Sequence, residues 1–412
     1  MENVKSIDAG QLLSPRPEKT APDLCSDAPR TSRPLKLALL IAFPADPARP
    51  IGGVEAVSVS LIRGLAKIPG LDVHVVTLNQ ASNPKEPLVW EGATLHRLPP
   101  PSGPLLAFAV GRGRRQIRDF LRLLQPDVVH AHDTYGIMVK GLPMPRVFTV
   151  HGFIHEDTRY AGGRFSWLRS RLWKWVETAA WADQPHIISI SPYVRERLRG
   201  RARGVIHDIE NPIAYECFKV PRRERPGTVF CAAAICERKN TLGLLRAYEI
   251  LSRKRPGARL RWAGPVGDPA CENSARRFIE TQHLTDKAAL LGPISSEQVR
   301  AELAQASVFA LVSFEEGAPM GIAEAMAAAV PVVASNRCGM PYMVRDGETG
   351  FLVDPNDPAD IAGRIEQILG DDALRARMGR RSAQTALELF HPDRVADRTY
   401  AVYRQASMKG KR

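Results

Sequence analysis

Strands that alternate with helices through two successive halves of the chain predict an α/β protein made of two doubly wound, Rossmann-like domains. Three observations carry that expectation. At 412 residues the chain suits two domains of the usual size, roughly 100–200 residues each. Short apolar runs separated by helical stretches recur on both sides of a segment rich in Pro and Arg at 214–227. The stretch from Glu316 to Ala327 reads as a strand-to-helix turn that carries two carboxylates, Glu316 and Glu324, eight residues apart.

Residues 1–34 are rich in Pro, Ser, Asp and Lys and poor in apolar side chains, so they are expected to form a disordered tail that buries too little to offset ordering entropy. The first domain is expected over 35–213. Its strands are read at 37–43, 73–78, 128–131 and 147–150, with helices such as 54–67 and 114–124 between them. Gly52 and Gly53 are read as closing the first strand, where the lack of a side chain lets the backbone approach a ligand.

The segment 214–227 is the expected linker, and a second domain follows over 228–390. Its strands are read at 228–234, 259–263 and 289–291, and its helices at 241–254, 275–282 and 296–304. Next comes the glutamate unit. An apolar strand at 307–312 leads into the turn, Pro319 sits in the first turn of an Ala- and Met-rich helix, and a strand at 330–335 completes a βαβ unit. That places the turn at the carboxyl edge of a parallel sheet, where ligands bind in open α/β folds. Helices at 358–369 and 371–390 and a C-terminal segment at 391–412 end the chain.

A hydrophobic fraction of 44% with 25% charged residues is that of a globular protein rather than a disordered or membrane-spanning one. No uninterrupted apolar stretch reaches the roughly 18–20 residues needed to cross a bilayer. The run at 35–43 is read as a buried strand rather than a signal segment, because a glycine turn and an amphipathic helix follow at once, and the expected location is cytoplasmic. The cysteines Cys25, Cys217, Cys231, Cys236, Cys271 and Cys338 show neither metal-ligand pairing nor a disulfide framework, so reduced thiols are expected.

The formal net charge of +13 points to an anionic neighbour. Arg159, Arg164, Arg169, Arg171 and Lys174 are interleaved with Phe165, Trp167, Trp173 and Trp175, and Arg195, Arg197, Arg199, Arg201 and Arg203 follow. Cations mixed with aromatics have the composition of an interfacial membrane patch, with Arg169, Arg171 and Lys174 as membrane-surface residues. No nucleic-acid-binding motif accompanies them, so no nucleic-acid partner is expected.

The remaining chemistry converges on the glutamate unit. The backbone amides of Gly317, Ala318, Met320 and Gly321 open a helix whose positive end suits an anionic group, whereas Pro319 has no amide to donate. Glu324 is a charge among Ile322, Ala323, Ala325 and Met326, which asks for a reason. No Asp-x-Asp triplet, no phosphate-binding loop of the Gly-x-x-x-x-Gly-Lys type, no Gly-x-Ser-x-Gly elbow and no zinc spacing is present, and His130 with His132 makes a poor metal site.

At these residues the chain resembles the family 4 retaining glycosyltransferases, of GT-B fold, whose hallmark is this paired-glutamate spacing. The resemblance extends to Gly52-Gly53-Val54-Glu55, Thr149-Val150-His151-Gly152, Ser191, Asn211-Pro212, Arg238-Lys239, Trp262-Ala263-Gly264, Leu291-Gly292-Pro293, Gly339-Met340-Pro341 and Asp346-Gly347-Glu348-Thr349-Gly350. It implies that the first domain binds acceptor, the second binds a nucleotide sugar, and 393–405 crosses back to the first domain. It further implies that Glu324 accepts hydrogen bonds from ribose hydroxyls and that Glu316 contacts the donor sugar near the reacting carbon. Lys239 would neutralise the diphosphate, and His151 would line the sugar pocket across the cleft.

The family often places an arginine five residues before the lysine. That position is Ala234 here, and Arg238 is the candidate replacement. Hexosyl transfer with retention is the implied reaction, without metal or cofactor and with the nucleotide sugar as co-substrate. The implied acceptor is a growing surface glycan or a lipid-linked one, and the implied place of work is the inner face of the plasma membrane. The competing readings are a GT-B nucleotide-sugar epimerase and a basic binding protein with a vestigial site.

Overall fold

Apolar runs that are buried on both faces become the inner strands of two parallel sheets. The computed structural model describes residues 33–78, 87–156 and 165–409; the expected tail, Cys25, Arg159 and Arg164 lie outside them, apart from positions 33 and 34 of the tail. In the first domain β1 (Leu35–Leu40), β2 (Leu71–Leu78), β3 (Leu88–Trp90), β4 (Ala93–Leu98), β5 (Val128–His132), β6 (Arg146–Val150), β7 (His186–Ser189) and β8 (Val205–Asp208) form one sheet in the order β3-β4-β2-β1-β5-β6-β7-β8. Among the described strands of this sheet, only the edge strand β3 runs antiparallel to its neighbour. The second sheet, in the order β11-β10-β9-β12-β13-β14, is parallel throughout. Its strands are β9 (Thr228–Ala232), β10 (Arg259–Ala263), β11 (Ala288–Gly292), β12 (Val308–Leu311), β13 (Val332–Ser335) and β14 (Gly350–Val353).

Parallel strands need crossovers, and the sequence supplies amphipathic helices for them. In the first domain these include α1 (Gly53–Leu65), α2 (Leu105–Val110), α3 (Arg112–Leu124), α4 (Tyr135–Met138), α5 (Ser166–Ala182) and α6 (Pro192–Leu198). In the second they are α7 (Thr241–Lys254), α8 (Pro269–Thr281), α9 (Ser296–Gln305), α10 (Met320–Ala327), α11 (Pro358–Gly370) and α12 (Asp372–Leu389). Side-chain caps set several helix starts, and the helix expected at 275–282 begins at Pro269, behind the Asp268 cap. Ser295 and Gln298 form a reciprocal capping box on α9, and Asp268, Asp357 and Asp371 cap α8, α11 and α12.

Strand order reverses at two places, and both lie beneath the cleft. β1 sits between β2 and β5, and β9 sits between β10 and β12 with Val229 level with Val308 and Phe230 with Phe309. The chain therefore leaves β9 and β12 as neighbours and turns in opposite directions, which opens a crevice at their carboxyl ends. Cores lie on both faces of each sheet; Trp262, Phe230, Phe309 and Tyr248 are almost wholly buried in the second domain.

A final helix, α13 (Pro392–Lys409), contributes Val395, Ala396, Val402, Tyr403 and Ala406 to the apolar cluster beneath the first sheet and packs along α1. The segment at 214–227 is held to the second domain: Cys217 is buried in its core, Arg223 and Arg225 donate backbone amides to Ala304 and Gln305, and the Arg222 guanidinium caps the carbonyls of Leu303 and Ala306 at 2.7 Å each. Pro and Arg composition marks a domain boundary, but the arginine side chains also anchor it. Two short strand pairs at the edges, β3 with β4 and β7 with β8, escape the apolar-run criterion: β3 and β8 have exposed residues, β4 mixes polar and apolar side chains, and β7, though buried, holds only Ile187 and Ile188 between two polar residues. The first strand ends at Leu40 rather than 43, and Gly52 and Gly53 open α1 instead of closing β1. Pro44, Pro47 and Pro50 account for the difference, since a locked φ and missing amides prevent strand pairing from continuing through that stretch.

Candidate active site

The turn between β12 and α10 is fixed mainly by backbone contacts. The amide of Gly339 donates to the carbonyl of Glu316 at 2.8 Å, and a Cβ at Gly339 would lie 1.8 Å from the carbonyl oxygen of Gly317, so only glycine permits this approach. On the other side the amide of Phe314 donates to Arg238 at 2.9 Å. Arg238 and Lys239 lie on a short 3-10 turn, Glu237–Lys239, that ends at Asn240 with a left-handed φ of 55°. The Asn240 side-chain amide donates to the carbonyls of Val312 (3.1 Å) and Pro355 (2.7 Å), which ties the turn after β9 to the loops after β12 and β14.

This frame brings three charges together. The Lys239 ammonium donates to Oε1 of Glu316, Arg238 Nη1 approaches the same oxygen at 3.4 Å, and Arg238 also donates to the carbonyl of Glu315 at 2.9 Å. Glu316 is 9% exposed, so its charge is compensated inside the cleft rather than by bulk water. Arg238 thus faces the turn that carries Glu316, while Ala234 has no side chain to reach it. Just beyond, Met320 and Gly321 begin α10, with Pro319 as the residue that enters the helix.

Glu324 lies in the second turn of α10, partly buried on an otherwise apolar helix. Burial pushes its carboxyl up to about 7, against the pull of the Arg300 guanidinium. A carboxyl near neutrality inside a crevice is a feature common at functional sites.

The first domain meets this turn with its own strand ends. Gly52 takes a φ of 92°, and a Cβ at Gly53 would lie 3.5 Å from Cγ of Met320. His151 follows β6, and a Cβ at Gly317 would lie 3.7 Å from its carbonyl oxygen. Ser191, the cap of α6, donates its hydroxyl to the carbonyl of Gly317 at 2.8 Å, and Tyr193 donates to Glu315 at 3.4 Å. The structure therefore gathers Gly53, His151, Arg238, Lys239, Glu316, Gly317 and Met320 around one cleft, with Ala318 and Gly321 in the same turn and Glu324 about one helical turn beyond Met320.

His151 does not stand alone. Its Nε2 is 2.7 Å from Nδ1 of His132, and its backbone amide donates to Asp133 at 3.3 Å. His130 bonds the Tyr403 hydroxyl of α13 at 2.6 Å and the Thr149 hydroxyl at 2.8 Å. Burial pushes His130 down to about 3, His132 well below the usual imidazole range, and His151 below it despite Asp133 and the Asn211 side chain nearby. Neutral rings share a single proton across this contact, so His132 and His151 take complementary tautomers. Sequence reasoning dismissed His130 and His132 as a metal pair and passed over Asn240. The usable signal was strand periodicity: residues two apart share a face, and β5 pairs with β6 so that His132 is level with Thr149.

The basic stretch divides in two. Trp173 is 9% exposed and belongs to the core, whereas Arg169, Arg171 and Lys174 are exposed on α5. Arg195 is paired with Asp208 at 2.8 Å, and Arg197 with Glu156 while stacking 4.7 Å from the ring of Phe153. Their charge is largely spent within the fold. Among the described residues no group of three or more His, Cys, Asp or Glu could hold a metal ion, and Cys217, Cys231, Cys236, Cys271 and Cys338 carry no disulfide.

Comparison with known proteins bears on the whole arrangement. A family profile described as Glycosyltransferase Family 4 matches residues 51–216, and one described as Glycosyl transferases group 1 matches 216–385. D-inositol 3-phosphate glycosyltransferase of Streptomyces avermitilis is 37% identical over 175 residues, which is 41% of this chain and 38% of that protein. The chain thus aligns with well under half the length of that relative. The putative glycosyltransferase EpsD of Bacillus subtilis is 27% identical over 72% of this chain and 82% of its own. Among solved structures, sucrose-phosphate synthase from Thermosynechococcus elongatus superposes with a TM-score of 0.75 at 22% identity over 91% of this chain and 99% of its own. HepE of Anabaena, solved in complex with UDP and glucose, superposes with a TM-score of 0.66 at 14% identity over 89% and 98%.

Proposed function

The chain belongs to the family 4 glycosyltransferases, of GT-B fold, and we propose that it moves a hexosyl group from a nucleotide diphosphate sugar to a growing surface glycan or a lipid-linked acceptor, with retention of configuration and without a metal. The observation that carries this reading is the cluster of Lys239, Arg238 and Glu316 at the mouth of α10, with Glu324 deeper in the same helix.

A diphosphate seated at this mouth takes the Lys239 ammonium, Arg238 and the amides that open α10, all aimed where negative charge builds as the leaving group departs. Donor-sugar hydroxyls take Glu316, so donor binding exchanges the internal ion pairs of Glu316 with Lys239 and Arg238 for contacts of all three with substrate. Ribose hydroxyls donate to Glu324, which must be ionised to accept both. His151, hydrogen-bonded to His132, lines the sugar side from the first domain. The bond from the anomeric carbon to the phosphate oxygen breaks while a bond to the acceptor oxygen forms on the same face. The acceptor proton passes to the departing phosphate oxygen, so no side-chain base is required.

The acceptor end of the cleft belongs to the first domain, and the exposed cations Arg169, Arg171 and Lys174 support work at an anionic membrane surface on the cytoplasmic side. No helix among the described residues is long and apolar enough to cross a membrane. Incubation with a panel of nucleotide sugars in EDTA, UDP-linked donors first, tests the reading. One donor should release nucleoside diphosphate slowly alone and faster with a lipid-linked glycan acceptor. Interconversion of the free nucleotide sugar would identify an epimerase, and release from no donor would overturn the proposal.

A further inference from the structure

Helix α5 is apolar on two opposite sides. Trp173, Val176, Ala180 and Trp181 face inward and are buried, together with Glu177, which accepts the amides of Ile154 and His155 and pairs with the His155 ring at 2.8 Å. Opposite them, at 3.6 residues per turn, Trp167, Leu168, Leu172 and Trp175 fall within an arc of roughly 140°. These four are 62%, 52%, 49% and 71% exposed, a contiguous stripe of large apolar groups rather than scattered single ones. Arg171 lies inside the arc, with Lys174 at one margin. The exposed part of the helix from Trp167 to Trp175 carries no carboxylate.

We propose that this face of α5 is an insertion surface for an anionic bilayer, with Trp167, Leu168, Leu172 and Trp175 settling below the headgroups and Arg171 and Lys174 reaching the phosphates. The proposal deepens the reading of a membrane-linked acceptor and rests on it. Charge complementarity selects the occupant: a stripe that carries Arg171 and Lys174 and no acidic residue suits lipid phosphate and acyl chains together, and tryptophan and long cations are the side chains that span that boundary. A second copy of this chain would bring the same cations against themselves. The position on the fold is informative too. Ser170 of α5 donates its hydroxyl to the carbonyl of His155 at 2.6 Å, and Glu177 holds the amides beside it, so the helix that meets the bilayer also holds the chain that follows His151. Docking there would present an acceptor headgroup to the acceptor side of the cleft.

Insertion and simple charge attraction respond differently to salt. The full chain should sediment with phosphatidylcholine vesicles that contain phosphatidylglycerol, and a fraction of that binding should survive about 0.5 M salt, where screening is nearly complete over a few ångströms. The double variant Trp167→Ser with Trp175→Ser should lose the salt-resistant fraction and bind at least tenfold more weakly. Arg171→Glu with Lys174→Glu should abolish the salt-sensitive fraction. Both variants should bind nucleoside diphosphate as the parent does, which shows that they fold. Equal vesicle binding by the tryptophan variant and the parent would overturn the proposal, as would a parent dimer by light scattering that the same substitutions convert to monomer. Failure of the parent to bind any nucleotide, with vesicle binding intact, would strike the transferase reading instead.

Discussion

The two domains face one cleft but build their walls differently. The second domain holds Glu316, Lys239 and Arg238 on loops locked by main-chain contacts, with Asn240 bridging Val312 and Pro355 and Gly339 pressed against Gly317. The first domain holds His151 through a buried chain of side chains that runs back through His132, while His130 reaches Tyr403 on the final helix. A wall of backbone contacts tolerates side-chain change except where glycine or a left-handed residue is required. A wall of neutral imidazoles can be retuned one side chain at a time.

The difference predicts where substitutions are felt. Lys239→Ala should produce the largest loss, a fall in turnover of about 10²–10³, because the diphosphate loses a preorganised charge. Glu324→Ala should weaken nucleoside diphosphate binding by about 1.5–3 kcal/mol, the scale of a hydrogen bond to a charged group, measured by calorimetric titration. The same group sets a pH dependence. With its carboxyl near 7, nucleotide affinity should rise from pH 6 to pH 8 as Glu324 ionises, and Glu324→Gln should flatten that rise. The linked effect on folding has the opposite sense: a carboxyl raised from 4.5 to about 7 favours the fold at low pH, and that contribution is lost as pH rises through 7.

Smaller effects separate the two walls. Asn240→Ala leaves two buried carbonyls without donors and should lower stability by about 2–4 kcal/mol, seen as a drop in melting temperature. His132→Phe removes the ring nitrogen that meets His151 and should cost about 1–3 kcal/mol of stability and alter the pH profile of turnover, because His151 loses its hydrogen-bond partner. An unaltered profile would reduce His132 to packing. Excess EDTA should change turnover least of all; complete loss restored by magnesium or manganese would remove the proposed diphosphate clamp.

The same contrast explains what the sequence revealed. Both sheets and the glutamate turn were legible because continuous apolar strands, Pro319 at a helix entrance and the spacing of Glu316 and Glu324 are local patterns. The pairing of His132 with His151 was not, because it joins residues 19 apart on neighbouring strands and needs the β5–β6 register. The edge strands β3 and β8 were missed because solvent-facing residues break their apolar runs. Trp173 and Trp175 are indistinguishable as letters, yet helical rotation buries one and exposes the other.

The central claim is that the mouth of α10 and the turn after β9 form a nucleoside-diphosphate site. Its most direct test is calorimetric titration of the parent, Lys239→Ala and Glu324→Ala with UDP, GDP and ADP in EDTA. The account predicts that one nucleotide binds the parent without metal and that each substitution weakens it at least tenfold. Binding of none of the three, or equal affinity in both variants and the parent, would contradict it.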